Sequence, residues 1–240
     1  MKKLTLTTLV IVFVSLVNIA TAQTLHDILK KHFETVGQEK LMAAKNIYLK
    51  AKVNKMGMDI PMEMKVKRPD KFSIIMEVQG QKVTQVFDGE KGWIVAPGLA
   101  TGPQELTGDM LEQVKQQPET LLEGDLYNYE QKGSTAEFLG KVNVNGSEAY
   151  RIKLTTKEGN EWEFFINANT YLIDKANATI TSGDQSVNVE EQMSNYDTID
   201  GITIPLKIVQ NSPIGNTTII IEDIRFDENF DDSIFMKPAQ

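Results

Sequence analysis

From Ile47 onward the apolar residues fall largely on alternate positions, in runs of roughly ten residues broken by RPDK, QGQ, DGEKG, VNGS, KEGN, NANT, SGDQ, TIDG and SPIGN. A period of two sends successive side chains to opposite faces, so each run is a half-buried strand. Each Gly, Asn, Asp or Pro cluster supplies the backbone freedom or preset φ that a reversal needs. Counting the runs predicts about ten or eleven strands, with one interruption from Gly98 to about Tyr129. Within it GLATGPQEL reads as a loop, and TGDMLEQVKQQ sets Met110, Leu111 and Val114 at helical spacing. Ahead of the strands, Thr24 is placed as N-cap of LHDILKKHFETVG, where Leu25, Ile28, Leu29, His32, Phe33 and Val36 share one helical face and Gly37 is the stop. A shorter helix, QEKLMAAK, follows. The order of helix, five strands, helical insertion, six strands and terminal turn predicts a mainly β (α+β) fold, with helices on one side of a continuous antiparallel sheet.

Residues 1–22 read differently. MKK puts two charges ahead of the apolar stretch Leu9 to Val17, and Ala20-Thr21-Ala22 is a small-x-small cleavage pattern, so a cleaved signal peptide is expected, with 23–240 as a single domain. That apolar stretch falls well short of the ~20 residues that span a bilayer, and no later segment is long enough either. A transmembrane span is therefore not expected in the mature chain. No cysteine is present to form a disulfide or to be lipidated. Losing Lys2 and Lys3 leaves 23 basic against 33 acidic residues, a net charge of −10, which argues against a nucleic-acid partner and against electrostatic attachment to anionic lipid.

Catalytic chemistry finds little support. There is no thiol and no G-x-S-x-G turn, and the only histidines, His26 and His32, are six apart and do not share a helix face as a HExxH pair does. Glu161 and Glu163 project from one strand face, as the carboxylates of a glycosidase could, but Trp162 and Phe164 claim the buried face and leave the acids to solvent. The run DENFDD lacks the glycine and ligand spacing of a calcium loop. No catalytic residue, metal site or cofactor is expected.

Methionine is the exception to an ordinary composition. Met56, Met58, Met62, Met64 and Met76 place five of the chain's ten methionines within twenty-one residues. Met56, Met58, Met62 and Met64 share a face where the backbone is extended, Phe72, Ile74, Met76 and Val78 continue an apolar face on the next strand, and Val83, Gln85 and Phe87 lie on one face of the one after. Unbranched, polarizable methionine suits a surface that accepts apolar guests of variable shape, and it equally suits a core in need of soft filler. Capped by the first helix and by Met110, Leu111 and Val114, such a surface would be an apolar cavity; periodicity alone does not separate a lidded cavity from a filled core.

The segment MKVKRPDKFSI, followed by TQVFDGEKGWIVAP, resembles the LolA/LolB superfamily of outer-membrane lipoprotein-sorting proteins, through Arg68, Pro69, Phe72, Asp88, Gly89, Trp93 and Pro97. HDILKKHFETVGQEKLMAAKNI and NFDDSIFMKP resemble the two ends of that group, whereas Ser182 to Pro213 carries no motif that aligns with it. The resemblance implies an incomplete, highly curved antiparallel β-barrel whose concave side is covered by helices acting as a lid. It implies a periplasmic carrier that shields the acyl chains of lipoproteins, or another lipid, during transfer toward the outer membrane, with inner- and outer-membrane sorting machinery as partners. A lipid- or lipoprotein-sensing regulatory module acting through a protein partner is the alternative. The ligand-binding residues expected on this reading are Met58, Met62, Met64, Phe72, Ile74, Met76, Val83, Phe87, Trp93, Met110, Leu111 and Val114. The matching arginine, Arg68, would lock the lid by hydrogen bonds to helical backbone; the plain alternative is an arginine that stabilises its own turn.

Overall fold

The computed structural model describes residues 24–98, 102–108, 110–115, 123–182, 185–213 and 215–239, so the expected signal peptide, 1–22, lies outside the described residues. Thr24 caps α1 (Leu25–Val36) through a capping box with Asp27, and Gly37 ends it in the left-handed conformation. The short α2 (Gln38–Ala43) follows directly. Strands β1 (Asn46–Lys55), β2 (Met58–Lys67), β3 (Lys71–Val78), β4 (Gln81–Phe87), β5 (Gly92–Val95) and β6 (Gln104–Glu105) come next. After the insertion come β7 (Thr135–Val144), β8 (Ser147–Thr155), β9 (Glu161–Asn167), β10 (Ile173–Ser182), β11 (Gln185–Ile199), β12 (Ile202–Ser212) and β13 (Gly215–Phe226). A 3₁₀ turn, Asp232–Phe235, closes the order. The described strands number thirteen rather than ten or eleven. One of the additions, β6, lies inside the segment read as a loop, because two residues carry no period.

All thirteen strands join one sheet in the order β6-β5-β4-β3-β2-β1-β13-β12-β11-β10-β9-β8-β7, which does not close. Every neighbour in the chain is a neighbour in the sheet except one pair. Strands β6 and β7 are consecutive in sequence yet stand at opposite edges, and the two runs of neighbouring strands are joined instead by β1 against β13, from Ile47↔Phe226 to Lys55↔Thr217. The result is a curved, incomplete barrel opened between β6 and β7. Leu106 follows β6 at one edge, and Ser134 precedes β7 at the other.

Two clusters form the core on the helical side. In one, Ile28 and Leu29 of α1 and Leu126 of the insertion pack on Tyr150, Ile152, Leu154, Phe164, Ile166 and Ala176 of β8–β10. In the other, Ala44 after α2 and Leu106 and Val114 of the insertion pack on Ile47, Met64, Val66, Phe72, Phe87 and Ile224. The opposite face is covered locally by the C-terminal segment: Phe235 is fully buried, the 3₁₀ turn sits against β3 and β4, and Asp232 pairs with both Lys67 and Lys71. The acids of DENFDD are thereby occupied, Asp227 accepting from the Lys45 N–H at 2.7 Å and Asp231 capping the turn at Ser233 N–H.

Candidate functional site

The concave face of the first half is a ladder of paired rows. Directly opposite residues of antiparallel strands share a face, so the register gives each row. Phe226, Ile47, Val66, Phe72 and Phe87 form the row beneath the helices, and the last four are essentially inaccessible. The next is Ile224, Leu49, Met64, Ile74 and Gln85, still largely covered. Then come Ile221, Ala51, Met62, Met76 and Val83, of which all but Ala51 are half-buried, and beyond them Ile219, Val53 and Ile60, half-buried as well. At the rim Met58, opposite Lys55, is 47% exposed. One apolar face thus passes from dry core to open surface along the strand direction.

The second half differs. Its inner row Ala176, Glu191 and Gln210 carries polar groups, with Gln210 Nε2 donating to Glu191 Oε1 at 2.7 Å. Burial raises the Glu191 pKa, and Asp125 on the insertion raises it further; burial also raises that of Asp125, against the opposing charge of Lys132. Between α1 and residues 126–131 runs a groove of about 1070 Å3, with Leu25, Leu29, Phe33, Leu126, Tyr127 and Tyr129 among its walls.

Three solved structures share this architecture. A DUF1329 family protein from Desulfovibrio piger is 17% identical, with a TM-score of 0.58 over 87% of this chain and 97% of that one. A LolA superfamily protein from Nitrosomonas europaea is 15% identical, with a TM-score of 0.56 over 89% and 98%. An outer membrane lipoprotein-sorting protein domain from Vibrio parahaemolyticus is 13% identical, with a TM-score of 0.54 over 83% and 94%. The fold is LolA-like. Neither a family model nor a curated protein matches the sequence.

In this LolA-like half-barrel the residues singled out from sequence separate into groups. Met64, Phe72, Ile74, Phe87, Leu111 and Val114 belong to one packed cluster, while Met62, Met76 and Val83 line the half-buried row and Met58 the rim. Met110 is 54% exposed. Trp93 stands apart: because Phe87 pairs with Gly92, the next residue along β5 pairs with Val86 on the opposite face. Met56 turns away in the left-handed conformation at the β1–β2 reversal.

Arg68 joins three elements. Its Nη2 donates to the Leu41 carbonyl of α2 at 3.2 Å, and its Nη1 lies 3.9 Å from Glu123 Oε1 at the start of the 123–133 segment. Glu123 is itself a junction, 3.4 Å from Lys132 Nζ through Oε2 and accepting at its carbonyl from Gln38 Nε2 at 3.1 Å. Sequence reading missed Glu123 because PETLLEGDLYNY has no period that assigns a face. The other candidate acids are spoken for: Glu161 pairs with Lys153 at 2.6 Å and Glu163 with Arg151. Among the described residues no group of three or more His, Cys, Asp or Glu is arranged to hold a metal ion, and no helix is long and apolar enough to cross a membrane.

Proposed function

We propose that the protein is a periplasmic carrier, exported by residues 1–22, whose single half-barrel domain 23–240 shields acyl chains of a lipoprotein or another lipid on its way toward the outer membrane. The observation that carries this reading is the graded apolar face, in which Met62, Met76, Ile219 and Ile221 continue a dry core outward yet stay half-exposed. A large apolar surface left partly open is costly unless something apolar covers it, and each methylene buried there contributes about 0.8 kcal/mol. A multi-acyl anchor needs such cover to cross water. On this reading Arg68 locks the lid, since it bonds α2 backbone and the 123–133 segment together, and the chain acts with membrane sorting machinery rather than through a reaction of its own.

Native mass spectrometry of the mature protein, purified gently from the periplasm of its own cells and followed by organic extraction, tests this. Acyl-bearing adducts are expected, and Met62→Gln with Met76→Gln should strip them while leaving the fold intact by circular dichroism. A protein that is empty as isolated and also takes up no lipoprotein in a transfer assay would overturn the proposal.

A further inference from the structure

We propose that Arg68 and Lys132 form a binding site for the phosphate of an anionic lipid headgroup, in which Glu123 is the internal occupant that the headgroup displaces. This rests on the lipid-carrier reading and names the chemistry of the cargo's polar end.

The Arg68–Glu123–Lys132 cluster is under-satisfied in hydrogen bonding. Arg68 and Lys132 share the Glu123 carboxylate, at 3.9 Å for Arg68 Nη1 and 3.4 Å for Lys132 Nζ, distances that suit attraction between charges better than well-formed hydrogen bonds, and Asp125 also faces Lys132. Arg68 spends Nη2 on the Leu41 carbonyl and sets Nη1 against the Met42 sulfur at 3.9 Å, while its buried Nε has no hydrogen-bond partner. Lys132 also donates to the Gly124 carbonyl at 3.0 Å. A carboxylate with two oxygens leaves this set under-satisfied. A phosphate brings more acceptor oxygens and up to a second negative charge, and the planar guanidinium is the side chain best shaped to bind it. Side chains of Glu123 and Arg68 are only 16% and 19% exposed, so the exchange takes place out of bulk water, where charge matching counts most.

Position decides what kind of phosphate. Gln38, which holds the Glu123 carbonyl, is also part of the wall of the groove between α1 and 126–131, beside Leu29, Phe33 and Leu126. Gln131, next in the chain to Lys132, also lines that groove, which places its apolar wall one residue along from the cation, as an amphiphile requires. Displacing Glu123 also removes the ion pair that ties Arg68 to the 123–133 segment, so arrival of the headgroup loosens that segment's hold on Arg68.

The test is calorimetric titration of the mature chain with three probes: dihexanoyl phosphatidylglycerol below its micelle threshold, uncharged dihexanoylglycerol, and inorganic phosphate. The charged lipid should bind at least about tenfold more tightly than the uncharged one, a difference on the scale of one charge-assisted hydrogen bond. Glu123→Gln, which removes the internal competitor, should widen that preference, and Lys132→Gln should shrink it. Arg68→Gln should abolish it, and the lysine variant keeps the test valid if the arginine variant fails to fold. Equal binding of the two lipids by the wild type and by Glu123→Gln would overturn the site while leaving the carrier reading intact. Phosphate binding at the same residues without either lipid would support the site, assign it to free phosphate and remove the carrier reading. No binding of any probe would remove both.

Discussion

His32 shows how one side chain ties a helix to a sheet. The face of α1 carries it into the core, where it is 7% exposed and its Nδ1 lies 2.7 Å from the Tyr171 carbonyl, so the neutral Nδ1–H donates. Burial lowers its pKa below the ordinary histidine value, with the carbonyl bond opposing in part. The unfolded chain therefore takes up a proton near the ordinary value of about 6.5 while the folded one resists it. Stability is full above that pH and falls as the pH drops below it. Thermal midpoints measured from pH 7.5 to 5 should decline, and His32→Asn should flatten the decline while losing about 1–3 kcal/mol at pH 7.5. An unchanged slope in the variant would show that other groups set it. The helical spacing put His32 on the apolar face, but its partner stands 139 residues away and no local pattern announces such a bond. The same holds for Arg68: the K-R-P turn is visible in the sequence, whereas its contacts at Leu41 and Glu123 exist only once α2 and the insertion are folded over it.

Elements were legible wherever a period or a cap marks them, and obscure where tertiary contact alone decides. Thr24, Asp27 and Gly37 frame α1 as their residue types require. Gly37 has a second role that only the structure reveals. A Cβ added there would lie 2.1 Å from the Gly201 carbonyl oxygen, because the α1–α2 elbow rests on the β11–β12 turn. Gly57 has a similar positive φ in the β1–β2 turn and open space around it. Gly37→Ala should thus cost clearly more than Gly57→Ala, about 2–4 kcal/mol against about 1 kcal/mol, in urea unfolding of both variants. Equal midpoints would mean the elbow shifts without penalty. Edge β7 is a further case: an extra residue, Leu139, interrupts its pairing with β8 before Gly140, and Lys141 is thereby turned to face Tyr150. A bulge and an inward charge discourage pairing at a sheet edge, so β7 is built not to meet β6. Alternation in the sequence marked this strand but not its place as an edge.

At the scale of the whole molecule, turn signals at short spacing imply that neighbours in the chain pair in the sheet, which accounts for all but one of the twelve strand pairings along its order. The exception, β1 with β13, joins residues near opposite ends of the described chain and leaves no local trace. It also fixes where the barrel is open, and with it the course of the segment that carries Glu123 and Asp125. Because the chain break in the sheet falls at the insertion, the covalent link between β6 and β7 is not what holds the halves together. Nine register pairs between β1 and β13 do so, with α1 of the first half buried on β8–β10 of the second. Co-expressed fragments 23–108 and 123–240 should therefore associate and elute together in size-exclusion chromatography. Placing a proline at Val53, which pairs with Ile219 in the middle of that ladder, should separate them, since proline removes an amide donor and is poorly tolerated inside a sheet. Fragments that never meet, or that stay joined with the proline in place, would show that the insertion rather than the β1–β13 ladder holds the half-barrel together.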